Sequence, residues 1–422
     1  MVKEGFVLKE MVRKENELRK LDKVLNYAVS HVLYYKNKGY QSIEDFPIIK
    51  KEIIKADYSS FISDELEDKK RLVHYLEWDF CIEKYVIEKK CFGNYFVEWT
   101  TGTSGVPFKC LKSVRERKDI SLAMWKRRIR VDSCITPNTF LPIIHTGLSP
   151  FPFDIRDYSF ENLTKIYGYI EEKGIKCIHI SPTLLKRHLS QPYFEQIKLP
   201  KSLKYIESTG RYLDDNAKEE IEKHYNVKVL NMYGTIETWG IAETCKYDRM
   251  HLNNDNVYLE LVDEQDNIIN ECNKVGMVVI TALNQFTMPF IRYRTNDYAM
   301  FLDKQCQCGE KISLQLCKCR ENQYILVDGE KRSGEDFVRK VLRMVEYDKV
   351  FQDISYIMLR EITDNEFELL INHIKEFKLF EKLFLKHICK EIGRDVKVNY
   401  IYVNELEFAD INPKGYIFTK RY

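Results

Sequence analysis

The chain lacks several features that would narrow its setting at once. None of its apolar runs has the length a transmembrane helix needs, and Met1-Val2-Lys3-Glu4-Gly5 opens without a signal-peptide h-region. Neither sign of charge dominates: 66 Lys and Arg against 64 Asp and Glu give a net +2. That balance removes the general electrostatic reason to expect nucleic acid or an anionic membrane as partner. No internal repeat or low-complexity segment stands out, and there is no Gly-Lys-Ser/Thr of a Walker loop.

What is present suits a multi-domain globular protein. A length of 422 residues suggests about two to three domains, and 44% hydrophobic residues suffice for a sizeable core. Twelve cysteines without a secretory signal point to a reducing, cytoplasmic setting. There, metal ligands and buried thiols are expected in preference to disulfides.

Three stretches carry the chemistry. The first is Thr100-Thr101-Gly102-Thr103-Ser104-Gly105-Val106-Pro107, which follows the β-prone Tyr95-Phe96-Val97-Glu98-Trp99. Glycines let backbone N–H groups approach an anion, and the hydroxyls donate further hydrogen bonds, so such a loop can wrap a polyphosphate. It also reads as a solvated turn. The second is Asn231-Met232-Tyr233-Gly234-Thr235-Ile236-Glu237, after the strand-like Val227–Leu230. The third is Met288-Pro289-Phe290-Ile291-Arg292-Tyr293-Arg294-Thr295-Asn296-Asp297, after the apolar run Val278–Thr281.

In this order and spacing the three stretches resemble signatures of the adenylate-forming ligases, the superfamily of acyl- and aryl-CoA ligases, luciferases and peptide-synthetase adenylation domains. Tyr34-Tyr35-Lys36, then Glu44-Asp45-Phe46-Pro47-Ile48-Ile49-Lys50, then Phe61-Ile62-Ser63-Asp64, resembles the amino-terminal region of one branch. That branch holds the phenylacetate–CoA ligases, deazaflavin-adenylating synthetases and CapK-like proteins.

The resemblance implies an α/β fold. A large N-terminal adenylation domain (1–319), with mixed sheets and flanking helices, would precede a small mobile C-terminal α+β lid domain (320–422). It implies that a carboxylic acid and ATP give an acyl-adenylate and pyrophosphate, with Mg²⁺. The acyl group then passes to CoA, a carrier-protein pantetheine or an amine. Thr100, Thr101, Gly102, Thr103, Ser104 and Gly105 would hold the β- and γ-phosphates. Tyr233, beside Gly234, would stack on adenine, Thr235 would bond the α-phosphate, and Glu237 would ligate Mg²⁺. Asp297 and Arg320 would take the ribose hydroxyls, His145 would border the acyl pocket, and Ser208 and Gly210 would line the adenine pocket. Self-association as a homodimer is left open.

The pattern departs from the family at three points. Arg211 stands where an acid is usual, and Asn322 or Gln323 takes the place of the hinge acid. The catalytic lysine falls on Gly415-Tyr416, with Lys414 one place early and Lys420 as a second substitute. These departures leave open a non-catalytic relative, a nucleotide-binding scaffold in a biosynthetic complex.

The cysteines add a further argument. Cys245-x5-His251 and Cys306-x-Cys308-Gly309 supply four ligands for a closed, structural Zn²⁺ site. The phenylacetate-ligase branch looks similar in these places. Cys317 and Cys319 offer a rival four-cysteine knuckle with Cys306 and Cys308. The Lys/Arg-rich stretch 112–130 reads as a solvated helix face rather than a nucleic-acid footprint.

Overall fold

The computed structural model describes residues 15–77, 91–92, 94–99, 108–143, 152–154, 157–210, 213, 215–320, 324–327, 330–349, 357–372, 375–403 and 417–420. The first helix, α1 (Glu15–His31), buries Leu21, Val24, Leu25 and Ala28, one stripe at three- and four-residue steps. A capping box joins Ser42 and Asp45 at the single turn Ile43–Asp45. Short helices α2 (Lys51–Ala56), α3 (Tyr58–Phe61) and α4 (Lys69–Glu77) follow.

Strands β1 (Cys91–Phe92), β2 (Tyr95–Trp99) and β3 (Lys109–Ser113) form a three-stranded antiparallel sheet. Trp99 pairs with Lys109, so β2 and β3 lie side by side and flank the hydroxyl-rich stretch in sequence. Helix α5 (Val114–Val131) starts immediately after β3. Ser113 Oγ accepts from the Glu116 amide and Glu116 Oε2 from the Ser113 amide, while Glu116 Oε1 also accepts from the Thr287 amide at 2.7 Å. One carboxylate thus caps α5 and ties it to the start of the third motif.

A βα rhythm comes next: β4 (Phe140–Ile143), α6 (Phe160–Glu172), β5 (Cys177–Ile180), α7 (Pro182–Leu189), β6 (Tyr205–Ser208), α8 (Asp215–Tyr225) and β7 (Lys228–Thr235). Strands β4 to β7 pair in parallel. Helices flank them, and β5 is buried at every position, as expected of a covered parallel strand. From β7 onward the pairing turns antiparallel through β8 (Trp239–Thr244), β9 (Met250–Leu252), β10 (Val257–Val262), β11 (Gly276–Ala282), β12 (Tyr293–Leu302) and β13 (Ser313–Arg320). The result is one ten-stranded sheet ordered β10-β11-β12-β13-β9-β8-β7-β6-β5-β4. Strand β7 is its switch point: the first half pairs with β6 and the second half with β8.

Beyond Arg320 a hydrophobic cluster of its own gathers Ile325, Phe337, Leu359, Phe367, Phe384 and Ile388. It is built from the hairpin β14 (Tyr324–Val327) and β15 (Glu330–Ser333), helix α9 (Gly334–Asp348), and the antiparallel pair β16 (Ile357–Thr363) and β17 (Glu366–Asn372). Helix α10 (Phe377–Ile392) precedes β18 (Lys397–Val403) and β19 (Ile417–Lys420), which complete a four-stranded sheet ordered β18-β17-β16-β19. Among the described residues no helix is long and apolar enough to cross a membrane.

Candidate active site

The second motif forms the end of β7 and the turn into β8. A register shift falls between Tyr233 and Gly234. A Cβ on Gly234 would stand 2.5 Å from the Trp239 carbonyl oxygen, so the tight turn demands glycine. Trp239 adopts the left-handed region at φ 61°, where a bulky residue is strained. Inside the turn, Thr235 Oγ1 lies 3.3 Å from Thr238 Oγ1. Glu237 is buried: its Oε1 accepts from the Tyr293 hydroxyl at 2.6 Å, and its carbonyl accepts from Gln285 Nε2 at 2.7 Å. Tyr293 belongs to the third motif, so two motifs meet at this carboxylate.

They meet again at Asp297. Asn296 sits at φ 64°, which an Asn tolerates better than most residues, and the β12–β13 register shifts between Asp297 and Ala299. The Tyr233 hydroxyl donates to Asp297 Oδ2 at 2.9 Å, and Thr295 Oγ1 accepts from the Asp297 amide at 3.2 Å. Across the ladder Asp297 pairs with Arg320, which puts the two expected ribose ligands on adjacent strands. Ser208, at the carboxyl end of β6, pairs with Asn231 of β7. It is fully buried and its Oγ has no hydrogen-bond partner, an orphan donor at the carboxyl end of a parallel strand, the end at which open α/β sheets bind ligands. Gly210 just beyond takes φ 82°. The structure thus brings Tyr233, Gly234, Thr235, Glu237, Asp297, the Arg320 backbone, Ser208 and Gly210 to the switch-point strands and those facing them. Thr100, Thr101, Gly102, Thr103, Ser104, Gly105, His145 and Lys414 lie outside the described residues, as does the side chain of Arg320.

One group was missed by the reading of the sequence. Lys112 is fully buried, and its Nζ donates to Glu98 Oε2 at 2.8 Å and to the Ile236 carbonyl at 2.7 Å. Glu98 Oε2 also accepts from Trp239 Nε1 at 2.8 Å, and Arg117 stacks its guanidinium 4.0 Å from the Phe96 ring centre. The strand pair β2–β3 is therefore bound to the turn carrying Thr235 and Glu237. The available signal was a diagonal: Glu98 pairs with Cys110 and Phe96 with Lys112, so the opposite charges share one face.

The solvated-face reading of 112–130 holds for Arg115, Lys118, Lys126 and Arg130, which are exposed, and needs correction for three other residues. Lys112, Arg127 and Arg128 are buried, because each meets an acid brought by another element. Arg128 donates from Nε and Nη2 to the two oxygens of Glu207, both at 2.7 Å, and His179 Nδ1 lies 2.6 Å from Glu207 Oε1. Despite full burial, which alone would raise it, the Arg128 guanidinium holds the Glu207 carboxyl well below the usual range. Burial and the Glu207 charge push the neighbouring Glu243 carboxyl well up.

The cysteine–histidine quartet converges. The ligating atoms of Cys245, His251, Cys306 and Cys308 all lie within 4.8 Å of one another. Cys245 Sγ is 3.6 Å from Cys306 Sγ, and Cys308 Sγ is 3.2 Å from His251 Nε2. His251 Nδ1 is 3.0 Å from the Ile312 carbonyl, so it carries the proton and donates. That leaves Nε2, which faces Cys308 Sγ, as the nitrogen for a metal. The quartet joins the β8–β9 turn to the β12–β13 turn, and its donors fit tetrahedral zinc.

No family model matches the chain. A 112-residue stretch is 29% identical to phenylacetate–coenzyme A ligase of Thermus thermophilus, over 26% of this chain and a quarter (25%) of that relative's length. The crystal structure of 2-hydroxyisobutyryl-CoA ligase in the postadenylation state with 2-HIB-AMP superposes with a TM-score of 0.58 at 16% identity, covering 95% of this chain and 88% of that one. The same ligase with 2-HIB-AMP and CoA in the thioesterification state gives 0.57 at 16% identity, over 98% and 91%. The expectation of an α/β architecture is met, and the chain has the fold of the adenylate-forming ligases.

Proposed function

We propose that the chain is an adenylate-forming ligase of the acyl/aryl-CoA ligase kind. It joins a carboxylic acid to the α-phosphorus of ATP, releases pyrophosphate, and hands the acyl group to a thiol or an amine. The observation that supports this most is the 2.9 Å bond from the Tyr233 hydroxyl to Asp297, which joins two motifs 64 residues apart. A free carboxylate is a poor acyl donor because its leaving group would be oxide. Attack by its oxygen on the α-phosphorus, with departure of pyrophosphate, converts that oxide into part of an AMP leaving group.

In this reading Thr100 to Gly105 wrap the β- and γ-phosphates, and Tyr233 offers its ring to adenine. Ser208 and Gly210 line the adenine pocket, Thr235 donates to the α-phosphate, and Asp297 accepts from the ribose hydroxyls with Arg320 beside it. His145 borders the acid. Glu237, oriented by Tyr293, offers a hard oxygen to Mg²⁺, which when bound would offset charge on the phosphates. The Lys112–Ile236 bond fixes the turn against the β2–β3 pair, so the donors are positioned before reaction. Cys245, His251, Cys306 and Cys308 hold a structural Zn²⁺. Residues 320–422 form a lid that turns between the two half-reactions. The neighbour crystallised with both 2-HIB-AMP and CoA supports CoA as acceptor before a carrier protein or an amine.

The test is ATP–pyrophosphate exchange by the full chain over aryl, fatty, hydroxy and amino acids. Exchange with at least one acid, and its loss in Lys414→Ala, is the expected result. Intact nucleotide binding with no exchange for any acid would instead support the scaffold reading that Gly415-Tyr416 suggests.

A further inference from the structure

The sheet that follows Arg320 carries both of its helices on one face. Helix α9 lies over the edge strand β19, α10 over the opposite edge strand β18, and the two helices touch each other. They run antiparallel: Lys340 reaches Glu391 near the end of α10, and Asp348, at the end of α9, meets Lys386 at 2.8 Å. Helix α10 buries Phe380, Phe384, His387, Ile388 and Ile392.

The side of α10 left to solvent is of one kind. Lys378, Lys382, Lys386 and Lys390 are all exposed, and Leu379 and Leu385 among them are each 39% exposed. At ~100° per residue these six fall within an arc of about 140°, along about 18 Å of axis. The helix's own acids, Glu381 and Glu391, fall outside that arc. Asp348 matches Lys386, whereas Lys378, Lys382 and Lys390 have no ion-pair partner among the described residues. On α9 the exposed side carries Arg343 and, one turn on, Tyr347, which is 92% exposed. Residues 320–422 hold 18 Lys and Arg against 19 Asp and Glu, so this face is positive by segregation and not by composition. The near-zero net charge of the whole chain does not describe it.

Lysines alone along a helix are an ordinary solvated surface. Here two leucines and a tyrosine stand among them, and that combination fits the boundary of a bilayer. Long lysine stems carry their ammonium groups to the lipid phosphates while shorter apolar side chains rest against the acyl chains. A tyrosine suits the same depth, with its ring in the apolar zone and its hydroxyl wet. Four to eight cations on one such helix face is the number that holds anionic headgroups. A two-fold contact with a second copy through this face would set lysine against lysine.

We propose that the α9–α10 face binds anionic lipid headgroups at a membrane surface, with Lys378, Lys382 and Lys390 on the phosphates and Leu379 and Leu385 at the acyl boundary. The attachment is peripheral, because no helix among the described residues is long and apolar enough to cross the bilayer. It stands apart from the ligase reading, and the failure of either leaves the other intact.

The experiment sediments the full chain with vesicles of phosphatidylcholine, alone or with about one-third phosphatidylglycerol. Binding is expected to the mixed vesicles only, and to fall as salt is raised. Lys378→Gln/Lys382→Gln/Lys390→Gln should lower the partition onto them about a hundredfold. Leu379→Ser/Leu385→Ser should lower it about tenfold. Thermal melts check that both variants fold. Arg115→Gln/Lys118→Gln/Arg130→Gln, an equal change in charge on the exposed side of α5, should leave the partition within about twofold. No binding to the mixed vesicles overturns the proposal, as does a loss that follows the α5 variant instead. Retention of the chain on immobilised poly-glutamate, unaffected by the leucine changes and without vesicle binding, would also overturn it and assign the face to an acidic protein.

Discussion

Arg128→Met tests how the centre of the molecule is held. The substitution keeps an unbranched side chain against Trp125 and Phe140, whose ring centres lie 5.0 and 4.3 Å from the guanidinium carbon. It removes both 2.7 Å bonds to Glu207, a carboxylate that is fully buried. His179 then faces that charge with the Glu243 carboxyl beside it and no guanidinium. Breaking one side of a buried pair costs about 3–5 kcal/mol, a large share of the ~5–15 kcal/mol that holds a folded protein together. At ~1.6 °C per kcal/mol, the figure for a unit of ~300 residues, the melting temperature should fall by about 5–8 °C. Glu207→Leu should cost a similar amount by stranding Arg128. The double variant Arg128→Met/Glu207→Leu leaves neither charge behind and should lose well under the sum. Because the Glu207 carboxyl is depressed in the folded state, its contribution is complete above the unfolded carboxylate pKa of ~4.5 and fades as pH falls below that value. The acid limb of the stability curve should therefore be shallower in the double variant. Urea denaturation of the four proteins at neutral and acid pH reads all of this. Simple additivity of the single losses would refute the reasoning.

Three further outcomes are expected. Asp297→Ala removes the acceptor of two ribose hydroxyls, each charge-assisted bond worth ~1.5–3 kcal/mol, so ATP affinity by calorimetry should fall about a hundredfold or more; unchanged affinity would clear Asp297 of that role. Gly234→Ala forces a Cβ to within 2.5 Å of the Trp239 carbonyl, which should cost ~1–3 kcal/mol in a melt and depress exchange by displacing Glu237, whereas wild-type stability would mean the turn is slack. Elemental analysis should find one zinc per chain, lost with a fall in melting temperature in Cys308→Ser, and a metal-free wild type of full stability would contradict the quartet's role.

Much of this architecture was legible because the signals are local. The three- and four-residue step of Val24, Leu25 and Ala28 marks a helix wherever it folds, and Ser42 with Asp45 is a capping pair readable from its spacing. Cys245, His251, Cys306 and Cys308 were readable because few residue types bind soft metals. What local pattern could not carry was partnership at a distance. The basic stretch looked solvated because Glu207 lies 79 residues from Arg128, and Glu98 14 from Lys112 on a different strand. The Tyr-Gly-Thr motif was expected after its strand, yet it lies on β7, because pairing with β8 extends the strand through Thr235.

The central claim is that the strands around the switch point close on a single ATP. Crystals of the full chain soaked with a non-hydrolysable acyl-adenylate analogue test it most directly. The account predicts the adenine against the Tyr233 ring and the ribose oxygens about 2.7–3.2 Å from the Asp297 carboxylate. A nucleotide bound away from both residues would contradict it.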